Sequence, residues 1–174
     1  MKIILITGGV RSGKSSYALE LAEQVDRKRA FIATAAPIDS EMKIRIENHQ
    51  KERADRYDTF EEQVDLITQI LEISEDYEVV VVDCLTVWLG NLYYKNNDNE
   101  EFVQKEVDRF IEFLNSYNGK MDIIFVTNEV GSGIIPNNAL SRSYRDLAGY
   151  LNRSVATIAE SLYFSVCGIA QKIK

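Results

Sequence analysis

A chain of 174 residues with 27 acidic and 20 basic side chains carries a net charge of −7 and a pI near 4.9. A nucleic-acid footprint needs a basic face, so no nucleic-acid partner is expected beyond what a local basic pocket would hold. Leu, Ile, Val and Phe supply 52 residues, which excludes a disordered chain, and 2 Pro with 9 Gly exclude low-complexity arrays.

The length suits one domain covering residues 1–174. Apolar runs such as Val79 to Val82 fall far short of a membrane span, and the N-terminus lacks the length and cleavage site of a signal peptide, so a cytoplasmic protein is expected. Two cysteines, Cys84 and Cys167, cannot build a disulfide framework and are expected as reduced, buried thiols.

Two periods alternate along the chain. Lys2 to Thr7 is a β-branched run ending at glycines, as a buried parallel strand should. Lys14 to Val25 keeps helical spacing through Ala18, Leu21, Ala22 and Val25, and Ala30 to Ala33 reads as a second strand. Ser40 suits the cap of a helix over Lys43 to Lys51, with Glu41 in its first turn. Gln63 to Ile73 is helical, Glu78 to Asp83 is the clearest strand, and Leu85 to Tyr94 reads as a helix followed by a solvated loop. Val103, Val107, Phe110, Leu114 and Tyr117 mark an amphipathic helix, and Asp122 to Thr127 another strand. Leu140, Tyr144, Leu147, Leu151, Val155, Ile158 and Leu162 keep a helical rhythm for about six turns. Ser161 to Val166 and Ile169 to Ile173 close the chain as strands. Strands alternating with helices call for a three-layer α/β domain, a mostly parallel sheet with helices on both faces. Ligands of such folds bind beyond the carboxyl ends of the strands.

The first strand runs into Gly8, Gly9, Val10, Arg11, Ser12, Gly13, Lys14 and Ser15, which match G-x-x-x-x-G-K-[ST]. The glycines let backbone N–H groups wrap a phosphate at a helix N-terminus. Lys14 then reaches the outer phosphates, and the Ser15 hydroxyl is placed to hold Mg²⁺. Asp83 ends the Val79 to Val82 run, where a carboxylate either sits beside that Mg²⁺ or caps the next helix; the two roles are compatible. His49 is the single histidine. Helical spacing puts Arg45 and Arg53 one turn to either side of it, a stripe that either holds an anion around a nucleophilic imidazole or is an ordinary surface.

With those residues in view, the chain resembles the bifunctional adenosylcobinamide kinase / adenosylcobinamide-phosphate guanylyltransferase family of cobalamin biosynthesis. The likeness rests on GGVRSGKS (8–15), RIENHQKER (45–53), VVDCLTVWLGNL (81–92), TNEVGSGIIP (127–136), RSYRDLAGYLN (142–152) and the terminal GIAQKIK. It implies a fold similar to RecA-type P-loop domains and a homotrimer. It also implies two reactions, with GTP and ATP as substrates: phosphorylation of adenosylcobinamide, then GMP transfer from GTP to give adenosylcobinamide-GDP. The family's GMP-histidine intermediate falls on His49. Its nucleotide contacts fall on Gly8 to Ser15, on Thr34, Ala35 and Ala36, on Gln50, Lys51, Glu52 and Arg53, and on Glu61 and Asp83.

Three positions depart from the family pattern: Ala54 and Ala170 stand where proline is usual, and Tyr57 where tryptophan is common. Gly131 and Gly133 either admit a bulky corrinoid or make a turn, and Arg142, Arg145 and Asp146 either pair on the surface or meet substrate or subunit. Trp88, Leu89, Leu92, Tyr93 and Tyr94 offer either a subunit contact or core. Two rivals remain: a P-loop small-molecule kinase without a covalent intermediate, and a GTP-binding switch. The switch lacks a base-reading N-K-x-D motif.

Overall fold

The computed structural model describes residues 1–24, 28–36, 50 and 53–174. The strands are β1 (Ile3–Gly8), β2 (Arg29–Ala33), β3 (Asp58–Glu61), β4 (Val79–Asp83), β5 (Asp122–Val126), β6 (Ser161–Val166) and β7 (Ile169–Lys172). The α-helices among the described residues are α1 (Lys14–Glu23), α2 (Leu66–Ile73), α3 (Leu85–Lys95), α4 (Glu100–Ser116) and α5 (Ala139–Ile158).

The strands form one sheet in the order β3-β2-β4-β5-β1-β6-β7. Every neighbouring pair is parallel except β6 with β7. This is the mostly parallel α/β sheet of a P-loop domain. Strand β1 is an interior strand, and the middle strand β5 separates it from β4, so the P-loop and Asp83 stand about 10 Å apart across the sheet at ordinary strand spacing.

The run Val79 to Val82 is apolar at every position because both of its faces are buried. Val80 and Val82 join Ile3, Leu5, Ile123 and Phe125 against α2, α3, α4 and α5. Val79 and Val81 join Ile6, Ile124 and Val126 on the opposite face, against Ala18, Leu19 and Ala22 of α1.

Some boundaries differ from the sequence expectation. Strand β3 went unread because Asp58–Glu61 is an edge strand, three of whose four residues are exposed, so its sequence shows no apolar run. Helix α2 starts at Leu66 rather than Gln63. Glu62 Oε1 accepts the N–H groups of Val64 and Asp65 at 2.6 and 2.8 Å, and Asp65 then caps the helix. The helical rhythm from Leu140 to Leu162 overruns: α5 ends at Ile158, and Leu162 packs on the same core from β6. Trp88, Leu89, Leu92 and Tyr93 are core, with Trp88 4.9 Å from the Phe110 ring, whereas Tyr94 is exposed. Cys84 is buried as expected, but Cys167 is exposed in the β6–β7 turn. The expected helix over Lys43 to Lys51, with its Ser40 cap, lies outside the described residues apart from Gln50, which is helical.

Candidate active site

The loop from Gly9 to Gly13 joins β1 to α1 at the carboxyl end of the sheet. Four of the five α-helices among the described residues begin with a side-chain cap: Asp65 for α2, Cys84 for α3, Asn99 for α4 and Asn138 for α5. Helix α1 begins at Gly13, with no side-chain cap and no acidic residue in its first turn. Its first N–H groups therefore stay available to an external anion. Lys14 opens this helix, where a cation opposes the helix dipole. That unfavourable placement is what an anion site requires.

Lys14 is buried, and its ammonium donates to Gly9 C=O at 2.5 Å and Ser12 Oγ at 3.4 Å, folded into the loop it serves. Its charge also reaches Cys84, next to Asp83, where it favours the thiolate. The β4 end and the P-loop thus share one electrostatic environment. Burial and the Asp83 charge nevertheless push the Cys84 thiol up to about 11, so this sulfur is inert. Its Sγ accepts from Val87 N–H at 3.4 Å, the cap of α3. Capping therefore belongs to Cys84, and Asp83 beside it is partly exposed. Ser15 is likewise partly exposed. Among the described residues no group of three or more His, Cys, Asp or Glu is gathered to hold a metal, so a cation here would rely on one hydroxyl, one carboxylate and its own phosphates.

The remaining expected contacts separate by element. Thr34, fully buried, spends its hydroxyl on Cys84, and Asn91 Nδ2 donates to the Thr34 carbonyl at 2.8 Å. Ala35 and Ala36, which follow β2, are both half-buried. Glu61 is exposed at the end of β3, next to Ala33. Gln50 is exposed, while Arg53 is buried with its guanidinium 3.9 Å from the centre of the Phe31 ring. His49, Arg45, Lys51 and Glu52 lie outside the described residues.

Ala54 has φ 47°, which a proline ring cannot adopt, so the loop after Arg53 follows a path closed to proline. Tyr57 is core: its hydroxyl donates to the Leu19 carbonyl at 3.0 Å and its ring meets Phe31 edge-on. It is buried under α1 and presents no face to a base. Ala170, on the edge strand, pairs with Ser165.

Sequence reading missed the supporting polar network. Asn128 Nδ2 donates to Thr86 Oγ1 at 3.0 Å, Asn152 Nδ2 donates to the Asn128 carbonyl at 3.0 Å, and Thr127 donates to Asn152 Oδ1 at 2.7 Å. Helix α5 thereby fixes the end of β5, while Glu129 N–H donates to Gly8 C=O at 3.0 Å. Gly131 serves a turn: its N–H donates to Glu129 Oε1 at 2.7 Å, and a β-carbon there would stand 2.9 Å from that oxygen. Arg145 pairs with Asp146 at 2.8 Å, and Arg142 donates to the carbonyls of Pro136 and Asn137, so these residues serve the surface and the loop. A separate groove of about 650 Å³ lies between α3, α4 and α5, lined by Tyr93, Glu100, Glu101, Ser143, Asp146 and Tyr150. Of its three carboxylates, Glu101 is paired with Lys105 and Asp146 with Arg145.

An uncapped helix behind a G-x-x-x-x-G-K-S loop makes a nucleotide site without saying for which reaction. The family model for cobinamide kinase / cobinamide phosphate guanyltransferase matches residues 4–173. The chain belongs to this cobinamide kinase / cobinamide phosphate guanyltransferase family. It is an enzyme, a kinase and nucleotidyltransferase of cobalamin biosynthesis.

The relatives of this cobinamide kinase / guanyltransferase align end to end. It is 38% identical over 170 residues to the bifunctional adenosylcobalamin biosynthesis protein CobP of Pseudomonas aeruginosa, covering 98% of this chain and 96% of that one. It is 35% identical to the bifunctional adenosylcobalamin biosynthesis protein CobU of Escherichia coli, covering 99% of each. Among solved structures it resembles an ATPase of a bacterial type III secretion system, with a TM-score of 0.63 and 11% identity over 98% of this chain and 56% of that one. It also resembles the RadB recombinase, with a TM-score of 0.52 and 17% identity over 94% of this chain and 73% of that one. At such identities these two likenesses speak for the fold alone: a RecA-like P-loop domain. No helix among the described residues is long and apolar enough to cross a membrane.

Proposed function

We propose that this chain phosphorylates adenosylcobinamide with a nucleoside triphosphate and then transfers GMP from GTP to the product, through a GMP adduct on His49. The observation that carries the reading is the first turn of α1, left without a side-chain cap or an acidic residue, with its first residue Lys14 buried and folded back onto the preceding loop. In the first reaction the substrate hydroxyl attacks the γ-phosphorus and the nucleoside diphosphate leaves. In the second, His49 attacks the α-phosphorus of GTP, pyrophosphate leaves, and the substrate phosphate then displaces the histidine. Gly8 to Ser15 serve both reactions, since each needs the outer phosphates held.

Ser15 and Asp83 would hold Mg²⁺, and both stand partly exposed at the same end of the sheet. When bound, the cation supplies charge neutralisation on the phosphates. Arg45, Gln50, Lys51, Glu52 and Arg53 are proposed around the α-phosphate, and Ala35, Ala36 and Glu61 around the nucleotide. For Arg53 this requires leaving the Phe31 ring. Thr34 acts by holding the strand ends. The exposed Ile134 and Ile135, beyond β5, give the rim an apolar surface suited to a corrinoid.

One domain carries both reactions, in the cytoplasm, as a homotrimer; sedimentation giving three times 19.8 kDa tests the assembly. The decisive experiment supplies purified protein with GTP and adenosylcobinamide and follows both products. Formation of adenosylcobinamide phosphate with no GMP adduct and no adenosylcobinamide-GDP would favour a simple kinase.

A further inference from the structure

The carbonyl of Ser12 is where the C-terminal hairpin grips the P-loop. Ser165 Oγ donates to it at 2.5 Å and Gly168 N–H at 3.0 Å. Ser165 is 1% exposed, so no water competes for this contact. The hairpin presses closely at both ends of the loop. A β-carbon on Gly8 would stand 2.3 Å from the Ser165 carbonyl oxygen, and one on Gly13 would stand 3.0 Å from Gly168 Cα. Cys167 and Gly168 both have positive φ, the geometry of a tight hairpin turn, and this brings Gly168 N–H to the loop. Tyr17 of α1 packs on Tyr163 of β6 at 5.2 Å, tying the helix to the same hairpin.

In a planar trans peptide the C=O and the following N–H point in opposite directions. Two donors drawing the Ser12 carbonyl toward the hairpin therefore turn the Gly13 N–H away from it, toward the phosphate side of the loop. A Ser12 carbonyl rotated the other way would place negative charge where phosphate oxygens must sit. We infer that Ser165, assisted by Gly168, is a positioning residue that fixes the Ser12–Gly13 peptide with its N–H toward the triphosphate. The inference rests on the reading of Gly8 to Ser15 as the triphosphate cradle. Ser165 acts on the nucleotide through the loop and touches neither base nor sugar.

The test is Ser165→Ala, with inorganic tripolyphosphate as a probe that has no base or sugar. Losing one buried donor is expected to weaken both tripolyphosphate and GTP binding by the same factor, roughly five- to tenfold, with the GTP-to-ATP preference unchanged. Ser165→Cys keeps a donor, weaker and on a slightly larger atom, and should fall between wild type and Ser165→Ala; it decides the matter if Ser165→Ala does not fold. Equal binding of tripolyphosphate by wild type and variant, with only the thermal midpoint lowered, would overturn the inference. A loss confined to GTP would overturn it as well. If the wild type binds no tripolyphosphate, the reading of the cradle falls first, and the positioning role with it.

Discussion

The hydroxyl of Thr34 and the peptide of Cys84 hold each other: Cys84 N–H donates to Thr34 Oγ1 at 2.7 Å, and Thr34 Oγ1 donates to Cys84 C=O at 2.9 Å. Fifty residues apart in sequence, they lock the end of β2 to the end of β4, immediately after Asp83. Thr34→Val keeps the shape and leaves a buried N–H unpaired. It should cost about 1–3 kcal/mol of stability. Denaturant unfolding of the variant measures this, and a midpoint equal to wild type would deny the clamp its role.

Lys14→Ala removes the cation at the head of α1. Both reactions should fall together, by roughly 10²–10³-fold, as when a preorganised donor to a reacting anion is lost. Steady-state rates of adenosylcobinamide phosphorylation and of GMP transfer check this. An unaffected partner reaction would demand a second nucleotide site.

His49→Asn should separate the two activities. No other histidine exists to replace the attacking nitrogen. GMP transfer should drop further than the roughly 10²–10⁴-fold expected for loss of a general base, while phosphorylation persists. The wild type should also acquire an acid-labile, base-stable GMP label with release of pyrophosphate. Near-normal transfer by the variant would end the covalent mechanism; loss of both activities in a folded variant would make His49 a binding group.

The thiols should differ in reach. One, Cys167, should react with a thiol reagent in the native protein, and Cys84 only after unfolding. Two rapidly reacting native thiols would contradict the burial of Cys84.

Alkaline pH should destabilise the fold. Burial pushes Cys84 up to about 11 and Tyr57 and Tyr144 up to about 12. Their unfolded values are about 8.5 and 10, so the folded state retains protons that the unfolded chain gives up. The stability these groups contribute is whole below about pH 8.5 and is lost progressively as pH rises toward 12. Denaturant midpoints between pH 8 and 11 should decline; a flat or rising series would refute the assignment.

Much of this protein was legible in its sequence, because strongly periodic segments and the P-loop are local in chain order. The β-branched runs at Ile3 to Thr7 and Val79 to Val82 could only be strands buried on both faces. Gly8 to Ser15 could be proposed as a phosphate cradle from sequence because that chemistry needs a fixed spacing along one stretch of chain.

Tertiary structure decided what depends on distant partners. Asp58–Glu61 became a strand because β2 offered an edge, not because its own residues favour one. Leu162 fitted a helical rhythm yet lies in β6, since a helix and a strand can bury apolar side chains in the same core. The Thr34 hydroxyl bonds the backbone of Cys84, a partner fifty residues away that no local pattern indicates. Ser165 carried no signal at all: its effect arises only because pairing of β1 with β6 brings it beside Gly8, and hydrogen bonds across 153 residues leave no periodic trace in sequence.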